Sequence, residues 1–365
     1  MSKALRYGII GSGSMGREHI ENLKVMDGVA VTAISDPYEP SRKAALTLAP
    51  DAKTFTTHQD LLSSGLIDAV VIASPNDTHV EVLKDALTTD LAVFVEKPLA
   101  SRIEDCKKII EWNSRRKALT WMGLEYRFMP PVNEVVQRTK NGDVGNVKHV
   151  SIREHREPFY PKVENWNRFS DRTGGTLVEK CCHYFNLMDL VIGEHPKTIY
   201  ASGSQMVNHL DEKYDGKPAD MIDSAFVILD YSNGARASLD LCMFGEGSHD
   251  KEIFTVVGDS GKLESFLPSH NVRYSKRADW GKATSWGAGG RGGSEQKIVL
   301  DLNVKYLGHH YGASYIEHVK FRDAILQGKP AEVTLEDGIS SVAIGIAAHK
   351  SIAEKRPVQL DEILN

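Results

Sequence analysis

The first third of the chain alternates short apolar runs with longer segments in which apolar residues recur at helical spacing. The continuous apolar runs predict strands buried on both faces, and they cover residues 5–10, 29–35, 68–74 and 91–96. The segments with helical spacing cover residues 16–26, 39–49, 58–65 and 78–89. Strand and helix therefore alternate, which predicts a doubly wound parallel sheet of the α/β class.

The pattern changes after residue 123, where longer apolar runs follow one another with little helix between them. These runs cover residues 147–155, 197–204, 223–231, 235–243, 252–259 and 261–267. Their partial alternation of apolar and polar residues predicts an α+β domain built on a large, mostly antiparallel sheet with one open face. The open face keeps enough apolar residues to favour a subunit interface, and hence a dimer or tetramer.

Two further segments of this second half have distinct compositions. Residues 334–360 begin with a capping-type sequence and carry a long apolar face, which predicts a terminal helix over about 334–355 that packs back toward the N-terminal domain. Residues 286–296 are rich in glycine and predict a mobile loop. A phosphate-binding role is disfavoured for that loop because no strand leads into it.

The three glycines at positions 11, 13 and 16 follow the first predicted strand directly and precede the first predicted helix. In that setting Gly11 allows a tight turn, Gly13 lets the backbone approach a pyrophosphate, and Gly16 lets the helix pack closely on the strand. The second strand leads to Asp36, where an acidic side chain is expected to bind an adenosine ribose and to repel a 2′-phosphate. The sequence therefore predicts an NAD-binding Rossmann domain over residues 1–123, with NAD preferred over NADP, and a substrate-binding and oligomerisation domain over residues 124–365.

Further polar residues follow the third and fourth strands, at the sheet edge where such folds bind ligands. Together with the glycine turn, the predicted cofactor-binding residues are Gly11, Ser12, Gly13, Ser14, Met15, Gly16, Asp36, Ser74, Pro75, Asn76, His79, Glu96 and Lys97. From Thr176 onward the sequence predicts a buried helix on which Glu179, His183 and Asn186 share one stripe. Buried polar groups need partners, so this stripe is expected to face a polar network or a wet cleft.

Composition excludes several other classes of protein. Of the 365 residues 25% are charged, and the net charge of −5 offers no basic face to nucleic acid. The apolar runs are too short to cross a bilayer, and the N-terminus lacks the pattern of a secretion signal, which predicts a cytoplasmic protein without a membrane partner. The four cysteines form no disulfide framework and are expected to be reduced.

Four motifs occur in a fixed order along the chain: GSGSMG, SPNDTH, EKPLA and GGTLVEKCCH. With them the chain resembles the Gfo/Idh/MocA oxidoreductases, the family of glucose–fructose oxidoreductase and inositol 2-dehydrogenase, over nearly its whole length. The resemblance implies that Lys97 is the lysine of the family's EKP motif, close to the nicotinamide ribose and the substrate hydroxyl. It also implies that His183 is the general base.

Two positions depart from the family pattern. Glu179 stands where inositol dehydrogenases have a substrate-binding aspartate, and Asn186 stands where the family often has an aspartate. We therefore expect Lys97, His183 and Glu179 to be the catalytic residues, and the two departures to affect which substrate is bound. The predicted substrate-binding residues are Lys97, Tyr126, Arg127, His155, Trp166, Asn167, Glu179, His183 and His310.

The predicted reaction is hydride transfer to NAD from a secondary hydroxyl carbon of a ring polyol or sugar. An imidazole titrates near neutral pH and suits the hydroxyl proton, while Lys97 would stabilise the developing alkoxide. Five arginines of the predicted second domain leave an acidic or phosphorylated sugar open: Arg127, Arg153, Arg156, Arg168 and Arg172. A metal is disfavoured at His309 and His310, because adjacent residues rarely chelate one ion. An NAD-dependent glycosidase or a non-catalytic NAD- and sugar-binding regulator are the alternatives, although a regulator is expected to lack Lys97 or His183.

Overall fold

The computed structural model describes residues 4–279 and 293–365. The chain divides into two compact units, each made of several stretches of sequence. The first unit comprises Met1–Phe128, Pro161–Cys182 and Leu302–Val342, and the second comprises Met129–Tyr160, His183–Asp301 and Ala343–Asn365. The division into domains at residue 123 stays a prediction.

Helices and strands are numbered separately in chain order. The helices are α1 Ser14–Lys24, α2 Glu39–Leu46, α3 His58–Leu62, α4 His79–Ala86, α5 Ile103–Asn113, α6 Pro130–Lys140, α7 Ser170–Thr173, α8 Thr176–Glu179, α9 Cys182–Ile192, α10 Ala313–Gln327, α11 Leu335–Glu354 and α12 Asp361–Leu364. The strands are β1 Leu5–Ile10, β2 Val29–Ser35, β3 Lys53–Phe55, β4 Ala69–Ile72, β5 Ala92–Glu96, β6 Thr120–Gly123, β7 Val147–His155, β8 Pro196–Ser204, β9 Lys213–Tyr214, β10 Lys217–Pro218, β11 Ser224–Tyr231, β12 Arg236–Cys242, β13 Glu252–Gly258, β14 Gly261–Leu267, β15 Asn271–Lys276, β16 Gly293–Lys297 and β17 Val358–Gln359. None of these helices is long and apolar enough to span a bilayer.

The first unit contains a six-stranded parallel sheet with the order β3-β2-β1-β4-β5-β6. Strands β4 and β5 are buried throughout because helices cover both faces of such a sheet. The strand order reverses between β1 and β4, and the crevice at that point is where doubly wound sheets bind ligands. The predicted doubly wound sheet is confirmed.

The second unit contains a nine-stranded sheet with the order β16-β15-β14-β13-β7-β12-β11-β8-β17. Neighbouring strands are antiparallel except β7 and β12, which run parallel. Burial alternates along β11, where Ala225 and Val227 are buried and Phe226 and Ile228 are exposed. The predicted mostly antiparallel sheet with one open face is confirmed.

The structure corrects two local predictions. The buried helix expected from Thr176 onward is interrupted at Lys180 and Cys181, so that α8 ends at Glu179 and α9 begins at Cys182. At the break the Glu179 carbonyl accepts hydrogen bonds from Lys97 Nζ and Cys182 Sγ. The prediction that Glu179, His183 and Asn186 share one stripe of a continuous helix is therefore wrong.

The second correction concerns the glycine-rich segment. Residues 293–296 form part of β16, because their backbone pairs with β15 and Glu295 pairs with Arg273 across the two strands. The rest of the predicted loop, residues 286–292, lies outside the described residues. Helix α11 matches the predicted terminal helix, and its Gly338 lies in the first unit against Met122, where an added Cβ would be 2.9 Å from Sδ.

The turn between β1 and α1 depends on close backbone contact. A Cβ on Gly16 would lie 2.0 Å from the Gly11 carbonyl oxygen, and Gly11 has a φ of +84°. We expect Gly16→Ala to lower the free energy of unfolding by about 1–3 kcal/mol, because the atom it meets is backbone and has little freedom to move aside. Urea unfolding without added nucleotide measures this change.

Gly13→Ala is the matched control in the same turn. A Cβ there would meet nothing within 4 Å, and the backbone of Gly13, with a φ of −65°, suits alanine. We expect its stability to stay within about 0.5 kcal/mol of the parent protein. Equal destabilisation by the two substitutions would contradict the proposed contact.

Candidate active site

A cavity of about 710 Å³ opens in the first unit at the carboxyl ends of β1, β2, β4 and β5. Its walls include residues that follow each of these strands, together with the segment 161–166 and Glu179. Of the predicted cofactor-binding residues, those lining it are Gly11, Gly13, Ser14, Met15, Asp36, Ser74, Pro75, Asn76, Glu96 and Lys97. Ser12, Gly16 and His79 lie behind its surface.

The glycine turn lines the cavity, and its exposed backbone is suited to a pyrophosphate. Gly11 is packed against the backbone of Ser74, where an added Cβ would lie 2.5 Å from the amide nitrogen. Gly13, by contrast, has open space at its α-carbon and directly precedes α1. The first turn of a helix carries unpaired N–H groups and a partial positive charge, so this backbone is suited to hold an anion.

Asp36 stands beside this turn at the end of β2. Its Oδ2 accepts hydrogen bonds from Ser12 N at 2.7 Å and from Ser12 Oγ at 3.1 Å, and its Oδ1 accepts one from Tyr38 N at 2.8 Å. The side chain lines the cavity although Asp36 is only 9% exposed. Ser12 therefore acts from behind the cavity, through the carboxylate that it holds.

His79 also lies behind the cavity and connects two of its walls. Its Nδ1 is 2.9 Å from the carbonyl oxygen of Pro98, and its Nε2 is 3.0 Å from that of Ser74. Burial lowers the pKa of this imidazole, so it is neutral at pH 7 and donates to one carbonyl at a time. The ring joins the turn after β4 to the turn after β5.

Lys97 and Glu179 meet in the cavity. Lys97 Nζ donates a hydrogen bond to the Glu179 carbonyl at 2.9 Å and lies 3.8 Å from its carboxylate Oε1. Asn76 Nδ2 donates to the other carboxylate oxygen and to the carbonyl of Thr173. The structure thus brings together three predicted site residues, from the turn after β5, from α8 and from the turn after β4.

Lys97 and Glu179 each stabilise the charged form of the other. Burial by itself lowers the pKa of Lys97, but the neighbouring negative charges, Glu179 foremost and then Glu96, outweigh it and raise that pKa above its usual value. Burial likewise favours the neutral form of Glu179, but Lys97 and Lys162 outweigh it and lower the Glu179 pKa. Both groups are therefore ionised at neutral pH.

Behind Lys97, Glu96 belongs to a buried chain of polar groups. Glu96 Oε1 lies 2.9 Å from His19 Nε2, and His19 Nδ1 lies 2.8 Å from His318 Nε2. The pKa of Glu96 is lowered, because His19 and Lys97 outweigh its burial. Burial and the neighbouring His19 lower the pKa of His318. Sequence reasoning missed His19 and His318, although His19 follows the third glycine by three positions and is a buried polar residue on α1.

Lys162 is a further missed residue of the cavity. Its Nζ lies 3.9 Å from Glu179 Oε1 and 4.7 Å from the centre of the Trp166 ring. Trp166 lines the cavity as well, whereas the neighbouring Asn167 is buried outside its walls. A lone lysine in an irregular segment carries no signal in the sequence.

Other predicted substrate-binding residues of the first unit lie away from the cavity walls. Lys180 Nζ donates to the hydroxyl of Tyr126, whose ring lies 5.6 Å from that of His310. Burial, with Lys180 nearby, lowers the pKa of His310 to about 3. Arg127 pairs with Asp337 at 3.2 Å and donates to a backbone carbonyl.

The remaining predicted residues belong to the second unit. His183 and Asn186 are buried on α9, directly after the break that follows α8. His155 is half-buried on the open face of the large sheet, with Nε2 3.1 Å from Asp240 Oδ1. Within residues 4–279 and 293–365, no three His, Cys, Asp or Glu side chains are close enough to hold a metal ion.

Comparison with known proteins extends this description to the whole chain. Residues 5–124 match the family model described as an oxidoreductase family with an NAD-binding Rossmann fold, and residues 137–360 match that family's C-terminal alpha/beta domain. Myo-inositol 2-dehydrogenase of Thermotoga maritima is 28% identical, covering 99% of this chain and 100% of the relative. Inositol 2-dehydrogenase 3 of Saccharopolyspora erythraea is 33% identical, covering 76% of this chain and 79% of the relative.

Solved structures show the same fold. A probable dehydrogenase from Thermotoga maritima superposes with a TM-score of 0.77 at 27% identity, covering 98% of this chain and 100% of the other. A levoglucosan dehydrogenase, in complex with NADH and levoglucosan, superposes with a TM-score of 0.85 at 19% identity, with 98% and 100% coverage. Because the matched families cover both the nucleotide-binding and the C-terminal regions, the chain belongs to the Gfo/Idh/MocA family of oxidoreductases.

Proposed function

We propose that the chain is an NAD-dependent dehydrogenase that oxidises a secondary hydroxyl of a ring polyol or sugar to the ketone or lactone. The observation that carries this proposal is the contact of Lys97 with Glu179, in a cavity that also contains the Gly13 turn and Asp36. Relatives named for inositol and a similarly folded protein named for levoglucosan support the substrate class. The names of these relatives also support an oxidoreductase that acts on a CH–OH group.

The residues that line the cavity support a dinucleotide cofactor. Gly11, Gly13 and Ser14 would hold the pyrophosphate, Asp36 the adenosine ribose, and Lys97 the nicotinamide ribose. When bound, NAD supplies the acceptor for a hydride. We infer a preference for NAD over NADP, because the Asp36 carboxylate would repel a 2′-phosphate.

The protein's own groups would handle the proton and the charge. Lys97 is ionised and would donate a hydrogen bond to the substrate oxygen, which stabilises that oxygen as it loses its proton. His183 would accept the proton, a role that rests on the family resemblance, in which His183 is the last residue of the motif GGTLVEKCCH. Glu179 would orient Lys97 or bind a neighbouring hydroxyl.

We further propose that the chain forms a dimer or tetramer through the open face of its large sheet. Tyr200, Phe226 and Ile228 are 43%, 62% and 45% exposed on this face. Tyr200 and Ile228 are directly paired on β8 and β11. Exposed apolar side chains grouped in this way are typical of a protein interface.

Substitution of Asp36 tests the choice of cofactor. We expect the parent enzyme to have a higher kcat/KM with NAD than with NADP, and Asp36→Ala to narrow the difference by about tenfold through loss of one repulsive charge. Asp36→Asn is the matched variant, because it removes the charge and retains one acceptor oxygen, which can serve either Ser12 or Tyr38. Equal kcat/KM for the two cofactors in the parent enzyme would contradict the assignment.

Substitution of His183 and Lys97 tests the catalytic roles. We expect His183→Ala to lower kcat by about 10²- to 10⁴-fold with little change in NAD affinity, because a general base acts on the proton alone. Lys97→Ala should lower kcat similarly and also weaken NAD binding. NADH formation at 340 nm is measured with inositols, aldoses and glycosides, and release of an aglycone without net NADH would indicate a glycosidase instead.

Thermal unfolding of the same His183→Ala preparation provides the control. If His183 is only a buried structural residue, the variant melts at a lower temperature and the folded fraction keeps normal turnover. A destabilised but fully active enzyme would therefore exclude the catalytic role.

Light scattering tests the proposed assembly. We expect a dimer or tetramer mass at micromolar concentration, and a monomer mass for Phe226→Glu with Ile228→Glu, because burying two carboxylates in an apolar interface is costly. Leu326→Glu is the control, since Leu326 is 65% exposed on a helix of the first unit. A monomer mass for the parent protein would rule out the assembly.

A further inference from the structure

One ammonium group in the cavity has no part in the proposed reaction. Lys162 is 30% exposed at its side chain, and its Nζ lies against the face of Trp166 at 4.7 Å from the ring centre. Among the described residues, no acceptor lies within hydrogen-bonding distance of this Nζ, since Glu179 Oε1 is 3.9 Å away. Lys162 therefore lines the cavity with an ammonium group whose donors have no hydrogen-bond acceptor among the described residues.

The neighbouring charges leave Lys162 incompletely neutralised. Glu179 Oε1 lies between two ammonium groups, 3.8 Å from Lys97 and 3.9 Å from Lys162, and Lys97 also bonds the carbonyl of the same residue. Glu96, the next carboxylate in the cavity, is paired with His19 at 2.9 Å. One carboxylate thus serves two lysines, and Lys97 makes the closer contacts with it.

The other cations of the cavity have nearer partners. Arg172 pairs with Asp77 at 2.8 Å, and Arg17 donates to the carbonyl of Ser12 at 3.0 Å. Burial lowers the pKa of Lys162, with Lys97 acting in the same direction and Glu179 opposing both. A half-buried ammonium of this kind is stabilised by an anion that completes its hydrogen bonds, and a carboxylate does this more strongly than a neutral hydroxyl.

The position of Lys162 indicates which ligand would supply that anion. The pyrophosphate already has a backbone site at the Gly13 turn, whereas Lys162 approaches the Glu179 carboxylate in the Lys97 cluster. Under the proposed function, this cluster is the end of the cavity that receives the substrate. We propose that Lys162 binds a carboxylate of the substrate, so that the enzyme acts on an acidic sugar, such as a uronate, in preference to its neutral counterpart.

Matched pairs of ligands test this proposal independently of turnover. Binding of glucuronate and glucose, and of galacturonate and galactose, is measured by titration calorimetry with NADH present. We expect the parent protein to bind at least one uronate about 10- to 100-fold more tightly than its neutral partner, the range expected for a charge-assisted hydrogen bond. Lys162→Met should abolish this preference, and Lys162→Arg should retain it.

Lys320→Met is the matched control. Lys320 Nζ also lies against an aromatic ring, 5.3 Å from the centre of Phe128, and pairs with Glu332 at 2.6 Å, but it does not line the cavity. Its loss should leave the ratio of uronate to sugar affinity unchanged. If no uronate binds more tightly than its neutral partner in the parent protein, or if the preference survives Lys162→Met, the proposal is wrong.

NADH formation from the same ligands separates this proposal from the function on which it rests. A uronate that binds through Lys162 but yields no NADH with NAD supports the carboxylate site and counts against the dehydrogenase. Oxidation of neutral sugars with no preference for uronates supports the dehydrogenase and overturns the carboxylate site.

Discussion

The hydrogen bond from Lys97 to the Glu179 carbonyl determines how the rest of the candidate site is arranged. It joins the end of β5 to the end of α8, and it engages a carbonyl at the point where the helix is interrupted. Because the same lysine also lies near the Glu179 carboxylate, one ammonium group both holds the backbone of Glu179 and stabilises its negative charge. Asn76 then holds the carboxylate from a third element.

Buried carboxyl groups behind this charged site are kept neutral. Glu125 and Glu317 lie in that region, and burial raises the pKa of Glu125 to about 8 and shifts that of Glu317 in the same direction. Glu317 accepts a hydrogen bond from the Trp121 indole at 3.0 Å. Carboxyl groups kept neutral in this way add hydrogen bonds without adding like charges next to Glu96. Buried polar groups without charge thus lie directly behind the charged residues of the site.

The sequence predicts those parts of the molecule that depend on local order along the chain. Continuous apolar runs identified β1 and β2 to the residue, and the glycine turn with Asp36 followed from its place between strand and helix. The sequence pattern missed β3, which has only three residues. It also missed the break at Lys180, because apolar periodicity indicates which residues are buried but gives no sign of a hydrogen bond from the distant Lys97 to the Glu179 carbonyl. His318 could not be predicted either, since its partner His19 is far away in the sequence, and Lys162 lies in an irregular segment without a recognisable pattern.

The bonds between Ser12 and Asp36 have a consequence for redesign of the enzyme. The carboxylate that faces the cavity also closes the gap between the loops after β1 and β2, where it accepts hydrogen bonds from both. Its orientation is thus fixed by the protein itself, and a ligand gains a rigid acceptor without the entropy cost of ordering it. Under the proposed function, one side chain therefore serves both coenzyme specificity and the packing of these two loops. Reversal of the proposed coenzyme preference at this position calls for a compensating acceptor for the Ser12 amide, introduced together with any new cation.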